Sequence, residues 1–297
     1  MSIDIGRADS FLAAHGRLLD RRRFALLTGE TTPGQRAAVL AAVRGYRNGD
    51  GGYGWGLEPD LRTPESQPAA ALHALEAITD AGPTTTPDTL ALLDWLGSAT
   101  RPDGGLPFAL PVPQPVACAP FWVEADPEES SLQITAGVTA QAHRVARFDD
   151  RAREHQWLAR ATRYCFEAIA GIDETPAAYV LSFALRFLDA AVDTHPEARE
   201  LLHHLGRFVP ADGAVPVQGG TEGETLHLLD FAPDPGRPVR DLVDDDAVAR
   251  DLDRLAAGQR ADGGWAVDFT SYSEVAALEW RGYATVAAVA ILRANGR

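Results

Sequence analysis

Apolar residues recur at helical spacing through most of the 297-residue chain. Segment 8–27 has the pattern of one amphipathic helix. Thr32-Pro33 and Thr86-Pro87 mark the starts of helices that run to Val43 and Leu96, because proline is favoured at the first helical position. The pattern predicts further helices over 67–79, 131–147, 152–170, 175–192, 195–208, 241–255 and 283–292.

A turn that reads Asp-Gly-Gly in three copies and Asp-Gly-Ala in one recurs between these helices, each time with an apolar residue seven positions before the Asp. The first and second copies are about fifty residues apart, as are the third and fourth, and the gap between the second and third is close to twice that. The spacing implies a repeating helical hairpin in which one copy of the turn has eroded. The matched spacing argues against chance, and the Ala- and Leu-rich segments argue against propeller blades. The four copies begin at Asp50, Asp103, Asp212 and Asp262.

The last copy, Leu255-x3-Gln259-x3-Gly263-x-Trp265, resembles the QW repeat of squalene-hopene and oxidosqualene cyclases. Segment 54–62, together with Glu279-Trp280-Arg281-Gly282, is similar to bacterial proteins labelled as prenyltransferase or squalene-oxidase repeat proteins. The resemblance implies an all-α, (α/α)5-6 toroid in which an inner ring of helices surrounds an apolar cavity, as one domain over residues 1–297. A shared fold does not fix an activity.

Net charge and composition exclude several classes of function. A charge of −15 opposes nucleic-acid backbones and anionic membrane surfaces as partners. The absence of lysine excludes Schiff-base chemistry and a Walker-type phosphate site. No wholly apolar run reaches the roughly 18 residues of a membrane span, and the first residues lack the features of a signal peptide, so we expect a cytoplasmic protein without a transmembrane segment.

The two cysteines, Cys118 and Cys165, form no CxxC pair. Protein prenyltransferases hold zinc through an Asp-x-Cys pair, but Val116 and Arg163 stand two residues before the cysteines here. We therefore expect no metal site and no cofactor, and interpret both cysteines as packing residues.

In a toroid, the segments that follow the turns converge at one end of the ring, as loops converge at one face of a TIM barrel. This geometry selects the candidate site residues. The polar candidates are Glu58, Asp60, Arg62, Glu124, Asp230, Glu279 and Arg281, and the aromatic candidates are Trp55, Phe121, Trp122, Phe231, Trp280 and Tyr283.

Acid-initiated terpene cyclisation needs a buried neutral carboxylic acid and aromatic faces that stabilise a carbocation. The Asp-x-Asp-Asp motif of the cyclase family and the DDxxD motif of metal-dependent synthases are both missing, and we interpret Asp244-Asp245-Asp246 as a helix cap. Glu58 and Asp60 are the better acid candidates because Arg62 lies beside them. The alternative is a structural ion-pair network with Glu279 or Arg281.

We hypothesise a terpenoid-cyclase-like protein that binds a hydrophobic, isoprenoid-type molecule. Glu58 or Asp60 would serve as proton donor or polar anchor, Arg62 and Arg281 would orient an anionic head group, and Trp55, Trp122 and Trp280 would line the wall. Two alternatives stay open: a non-catalytic toroid that binds a lipid or a protein, and a carbohydrate hydrolase or lyase. A closed apolar cavity would favour the cyclase, a filled one the binding protein, and an open carboxylate-lined cleft the carbohydrate enzyme.

Overall fold

Helices contain most of the residues in the computed structural model, which describes residues 3–297. The strand content of this described part is a single short antiparallel pair, Val215–Pro216 (β1) with Thr225–Leu226 (β2), so the all-α prediction is confirmed. The helices are α1 Ile5–His15, α2 Leu18–Thr28, α3 Pro33–Arg44, α4 Pro68–Asp80, α5 Pro87–Ala99, α6 Pro120–Val123, α7 Leu132–Ala146, α8 Asp150–Arg153, α9 Gln156–Ala170, α10 Ala178–Ala191, α11 Ala198–Gly206, α12 Leu228–Phe231, α13 Asp245–Ala257 and α14 Glu274–Ala294.

The helix starts follow the capping signals in the sequence. Thr32 and Gln35 form a capping box at α3, and the Thr86 hydroxyl accepts the backbone N–H of Asp88 at α5. The Asp244 carboxylate accepts the N–H groups of two residues in the first turn of α13, which confirms the cap interpretation of the three aspartates. The predicted helices therefore agree with the structure to within a few residues at most ends.

Two predicted helices are each divided. Segment 8–27 forms α1 and α2, because α1 ends at Gly16 and the backbone of Arg17 is extended. Segment 152–170 likewise forms α8 and α9, because the His155 side chain accepts the N–H of Trp157 and starts a new helix. Both predictions of a single helix were wrong.

The C-terminal helix begins earlier than the apolar pattern predicts. The pattern predicted a helix over 283–292, but α14 starts at Glu274, where the Ser273 hydroxyl accepts the N–H of Ala276, and so includes Glu279-Trp280-Arg281-Gly282. These four residues are therefore helical, and their side chains have fixed helical spacing.

The Asp-Gly turns connect successive helices as predicted. In each copy the Asp carboxylate accepts the backbone N–H two residues later, at 2.9 to 3.1 Å. The connection between α9 and α10, residues 171–177, falls in the middle gap where one eroded copy was expected, and it lacks the Asp-Gly pair. The turns join α3 to α4, α5 to α7, α11 to α12, and α13 to α14.

Helix contacts run along the chain and return to its start. Helix α4 packs against α3 and α7, α7 against α10, and α10 against α11 and α12. Helix α12 contacts α13, α13 contacts α14, and α14 contacts both α1 and α2. The Gln259 side chain also exchanges two hydrogen bonds of 2.8 Å with the backbone of Asp4, so the last turn fastens the first residues of the chain.

Helix α14 is an exception to the expectation that no segment is apolar enough to span a membrane. Its 21 residues include an 18-residue stretch of mean hydropathy 1.3, which is sufficient in length and composition to cross a membrane. Core helices of soluble proteins also meet this criterion, and α14 packs against α1, α2 and α13. One such helix is weak evidence for a span.

We expect Gly263→Ala to destabilise the protein more than Gly236→Ala. Both glycines have left-handed φ angles, +95° and +71°, so each alanine costs about 1–2 kcal/mol of backbone strain. A Cβ at Gly263 would also lie 2.2 Å from the Arg7 carbonyl oxygen, whereas a Cβ at Gly236 would meet no atom within 4 Å. We expect urea unfolding to show an additional loss of about 1–3 kcal/mol for Gly263→Ala. Equal losses in the two variants would contradict close packing of this turn on α1.

Candidate functional site

The loop at 54–66 carries two predicted acids, Glu58 and Asp60, into the interior. Both residues are nearly fully buried, with 5% and 3% of their surface exposed. The backbone N–H of Ala119, in the loop 106–130, donates to the Asp60 carbonyl at 2.8 Å. The two long loops therefore hold each other and fix both carboxylates.

His73 lies between two carboxylates. Its Nε2 is 2.9 Å from Glu58 Oε2, and its Nδ1 is 3.0 Å from Glu76 Oε2. Glu58 Oε1 also accepts the backbone N–H of Asp60 at 3.1 Å. All three side chains of this Glu58-His73-Glu76 triad are buried, so the triad joins the loop at 54–66 to the middle of α4.

The triad favours a charged imidazole. Burial by itself would lower the pKa of His73, but the hydrogen bonds and charges of Glu58 and Glu76 outweigh it and raise that pKa to about 9. Burial also opposes ionisation of Glu76, yet His73, with Arg23 and Arg186 beyond it, lowers the pKa of Glu76 to about 2. At neutral pH the triad therefore holds an imidazolium between two carboxylates.

Helices α14 and α2 extend this network. The Tyr283 hydroxyl donates to Glu76 Oε1 at 3.0 Å, and burial, followed by the charge of Glu76, raises the pKa of this phenol. The Arg23 guanidinium lies 5.8 Å from the centroid of the Tyr283 ring and pairs with Asp80 at 2.6 Å. Both oxygens of Glu76 are thus occupied by protein donors.

Asp60 is held by donors from the C-terminal part of the chain. Trp280 Nε1 donates to its Oδ2 at 2.7 Å, and the backbone N–H of Tyr272 donates to its Oδ1 at 2.9 Å. Burial raises the pKa of Asp60, and these two hydrogen bonds limit the rise. The residues Asp60 and Trp280, predicted from distant parts of the sequence, are therefore in direct contact.

Arg62 and Glu279 are a second predicted pair that meets, since the guanidinium donates to the carboxylate at 2.5 Å. Both side chains are partly buried. Their contact ties the loop at 54–66 to α14, as the ion-pair alternative predicted for Glu279.

Aromatic rings lie around the triad. His73, Trp280 and Tyr283 contact one another edge to face, with ring centroids 5.2 to 5.9 Å apart. Phe269 contacts Trp280 in the same way at 5.2 Å. The predicted aromatics Trp280 and Tyr283 are thus within the site.

Arg281 does not share the site. Its guanidinium donates to both carboxylate oxygens of Asp262, at 2.8 and 2.9 Å, and to the Trp265 carbonyl at 3.2 Å. It also stacks on Phe11, 4.4 Å from the ring centroid. Its donors therefore fasten α14 to the last Asp-Gly turn, and the prediction that Arg281 orients a ligand head group has no geometric support.

The adjacent Gly282 has a packing role. A Cβ there would lie 2.9 Å from the fully buried Asp20 carboxylate on α2. That carboxylate is bound by Arg17 at 2.9 Å, and Arg17 also donates to the Leu57 carbonyl. Glycine thus permits the close approach of α14 to α2.

Trp55 and Asp230, two other predicted residues, lie apart from the triad. Trp55 is 58% exposed, with a φ of +58°, and its indole donates to Asn48 beside an open cavity of about 380 Å³. Asp230 is exposed at α12, where its carboxylate accepts the N–H of His227. Within residues 3–297, neither residue is among the hydrogen-bond or ring partners of His73, Trp280 and Tyr283.

The loop 106–130 forms a separate surface. Trp122 is buried and stacks on Phe108 with ring centroids 4.4 Å apart. Glu124 is exposed and lines an open cavity of about 370 Å³ together with Phe108 and Phe121. Phe108 and Phe121 line this cavity, whereas Trp122, predicted to line the cavity wall together with Trp55 and Trp280, packs behind them on Phe108.

Sequence reasoning missed His73, Glu76 and Arg23. His73 and Glu76 stand three positions apart in the Ala- and Leu-rich segment 67–79, so they share one helix face. Charged residues in a helix that is otherwise apolar were the available signal, because such groups are buried only when paired.

Two further arginines approach the same region. The charge of Arg186, on α10, acts on Glu76, on Tyr283 and on Arg144 of α7. Burial, followed by the charge of Arg186, lowers the pKa of Arg144, which pairs with Asp234 at 2.6 Å. We call Arg23, Glu76, Arg144, Arg186 and Tyr283 the central polar cluster. Its members come from α2, α4, α7, α10 and α14.

Comparison with known proteins identifies no family for this chain. No protein-family model matches the sequence, and no curated protein matches it significantly. Within residues 3–297, no group of three or more His, Cys, Asp or Glu residues is arranged to hold a metal ion. The chemistry of the site must therefore be inferred from its geometry.

We expect the protein to lose stability as pH rises through about 9. The folded-state pKa of His73 lies above its ordinary value of 6.5, so the stability contributed by the imidazolium is complete below pH 6.5 and disappears as pH passes the folded value. The loss should be on the order of 3 kcal/mol. Urea unfolding from pH 6 to 10 would show this slope in the wild type and in His203→Gln, an exposed control, but not in His73→Gln.

Direct NMR titration of the His73 ring in the wild type provides an independent measurement, because His73→Gln leaves two buried carboxylates without their cation. A midpoint near 6.5 would contradict the charged triad.

Proposed function

We propose that the chain forms an α/α toroid of six helical hairpins in one domain. The pairs are α1 with α2, α3 with α4, α5 with α7, α9 with α10, α11 with α12, and α13 with α14. Two observations support this arrangement: the helix contacts return from α14 to α1 and α2, and the second helix of five pairs supplies a member of the central polar cluster. In this ring those second helices are the inner ones.

We propose further that the centre of the ring binds a small polar molecule. The observation that supports this most strongly is the central polar cluster, in which charged or hydroxyl side chains from five helices replace the apolar lining that the resemblance implies. Buried polar groups are costly unless they are paired with protein groups, water or a ligand. A polar ligand therefore suits this centre better than a hydrocarbon does.

The predicted acids have a supporting role in this proposal. Both oxygens of Glu58 and both oxygens of Glu76 already accept protein hydrogen bonds. Glu58 and His73 thus hold the loop at 54–66 in place, while Tyr283 keeps an unused lone pair on its hydroxyl. The proposed activity is ligand binding at a rigid centre, the non-catalytic alternative, with a polar molecule in place of a lipid or a protein.

A thermal-shift screen with neutral sugars, polyols, amino acids, sugar phosphates and dicarboxylates tests the proposal. A ligand that binds only the folded state raises Tm, so we expect at least one polar compound to stabilise the wild type. Tyr283→Phe removes a central hydroxyl and should diminish that shift. Tyr164→Phe, on α9, is the matched control and should preserve it. Stabilisation by apolar compounds alone, or by none, would overturn the proposal.

Acid-initiated cyclisation of an isoprenoid is the second candidate, and the surroundings of Asp60 favour it. Burial raises the pKa of Asp60, and Trp280 and Tyr283 supply aromatic faces nearby. Asp60 is preferred to Glu58 as the proton donor because Glu58 is paired with the His73 ring. Arg62, paired with Glu279, would then position the loop and not a diphosphate.

Incubation with linear isoprenoids and their diphosphates, with and without magnesium, followed by mass-resolved product analysis, tests this candidate. If Asp60 is the acid, a cyclised product should form with the wild type and disappear with Asp60→Asn. Glu58→Gln should lower the yield only through the position of the loop. Lack of product from every substrate would eliminate cyclisation of these compounds and leave polar-ligand binding as the function.

A further inference from the structure

The large apolar side chains that the protein exposes are concentrated in two segments. Within residues 3–297 eight such side chains are exposed, and six of them lie in segments 116–123 and 272–278. The six, each 37% to 79% exposed, are Val116, Phe121, Val123, Tyr272, Val275 and Leu278. Single exposed apolar residues are ordinary, whereas a cluster of them marks an interaction surface.

The two segments join into one surface. Phe121 meets Tyr272 edge to face, with ring centroids 5.8 Å apart. Tyr272 directly precedes Ser273, the cap of α14, and Val275 and Leu278 stand three positions apart in the first turns of that helix, so they share one face. We call the side chains of Phe121, Tyr272, Val275 and Leu278 the apolar surface.

The apolar surface is held in place by the protein. Asp60 fixes both segments, because its carbonyl accepts the N–H of Ala119 at 2.8 Å and its Oδ1 accepts the N–H of Tyr272 at 2.9 Å. The Phe121 ring is packed by two further aromatic rings of its own loop. A surface that is already ordered loses little conformational entropy when a partner binds to it.

An acidic cavity borders the apolar surface. Phe121 lines the open cavity of about 370 Å³, and three exposed carboxylates line it too. These are the side chains of Glu124, Asp126 and Glu129. None of the three forms an ion pair within residues 3–297. Three neighbouring negative charges favour a cation from outside the chain, and the aromatic walls add a cation–π attraction.

We propose that the apolar surface and its acidic cavity dock a basic amphipathic segment of another protein. Apolar side chains of that segment cover Phe121, Tyr272 and the start of α14, and a lysine or arginine enters the cavity, so the two surfaces are complementary in charge. The carboxylates and the net charge of −15 disfavour an anionic membrane as the occupant. This inference goes beyond the proposed polar-ligand function, since the apolar surface and the central polar cluster share no residue.

Fluorescence anisotropy with a labelled synthetic peptide of leucine and lysine at helical spacing tests the proposal. We expect saturable binding to the wild type that weakens as salt concentration rises, because salt screens the attraction between the charges. A serine–lysine peptide keeps the charge without the apolar face, and a leucine–glutamate peptide reverses the charge. Both should bind at least tenfold more weakly. Equal binding of the leucine–lysine and serine–lysine peptides would overturn the proposal.

Tyr272→Ser tests the apolar surface. The substitution keeps the backbone N–H that binds Asp60, so circular dichroism should show an unchanged fold. Peptide affinity should fall about tenfold, as is typical for a central interface aromatic. Trp55→Ser, which removes an exposed aromatic from a separate cavity, is the matched control and should bind as the wild type does. Unchanged affinity in Tyr272→Ser would contradict docking at this surface.

The acidic cavity has its own pair of variants. Glu124→Gln combined with Glu129→Gln removes two of its charges, and Glu167→Gln combined with Glu174→Gln removes two exposed charges elsewhere. The first pair should lower both the affinity and its dependence on salt, whereas the second should leave both close to the wild type. Equal effects of the two pairs would assign the attraction to net charge and overturn the role of the cavity.

Other occupants would give different results. Binding of the wild type to phosphatidylcholine vesicles that is lost in Tyr272→Ser would assign a membrane, and dimerisation that is lost in the same variant would assign a second copy of this chain. Either result without peptide binding would overturn the proposal. Tyr283→Phe, in the central polar cluster, should bind the peptide normally, so failure of the polar-ligand function leaves this surface unaffected.

Discussion

The imidazolium of His73 between Glu58 and Glu76 is the interaction on which the rest of this structure depends. Two carboxylates inside a protein repel each other and are expensive to bury, so they require a cation with complete hydrogen bonding. His73 supplies one N–H to each, and Asp60 and Tyr283 satisfy the remaining oxygens. Removal of one member leaves the others buried without compensation, at a cost of roughly 3–5 kcal/mol.

The triad also fixes the position of the loop at 54–66. Leu57 and Leu61 of this loop are buried, and its two acids are held by α4 and by α14. Because α14 contacts α1 and α2, the same network joins the beginning, the first loop and the end of the chain. Contacts so distant in sequence form only when the helices are assembled.

The repeated turn gives these helices their spacing. Each Asp carboxylate accepts the backbone N–H two residues later. In the first and second copies it also accepts the hydroxyl of a serine that lies two residues before α4 or α7, namely Ser66 or Ser130. In the last copy Arg281 takes that place on Asp262. Because Arg281 lies within α14, this ion pair fixes both the helix and the turn. The same turn contacts the first residues of the chain.

Sequence reasoning predicted the parts of this protein that local chemistry determines. Thr-Pro and Asp caps define helix starts without help from the rest of the chain, and the Asp-Gly turns need only their own backbone. The split at Gly16 and the start of α14 at the Ser273 cap are local features that periodicity does not detect, so the apolar pattern misplaced both boundaries. Of the candidates selected by convergence of the loops, Asp60 meets Trp280 and Arg62 meets Glu279, and only the second contact had been named, as the ion-pair alternative. Helices α4 and α10 supplied His73, Glu76 and Arg186, and the polarity of these residues is informative only once their surroundings are known.

The overall charge and the local charge of this protein act on a ligand at different distances. A net charge of −15 repels an anion in bulk solution, but at physiological salt this repulsion is screened over about 8 Å. Inside the protein the effective dielectric constant is lower and the ions are fewer, so the nearest groups dominate. In the central polar cluster, Asp80 and Asp234 neutralise Arg23 and Arg144, whereas Arg186 has no ion pair within residues 3–297. A polar ligand at this cluster would therefore respond to these nearby groups more than to the surface field of the molecule.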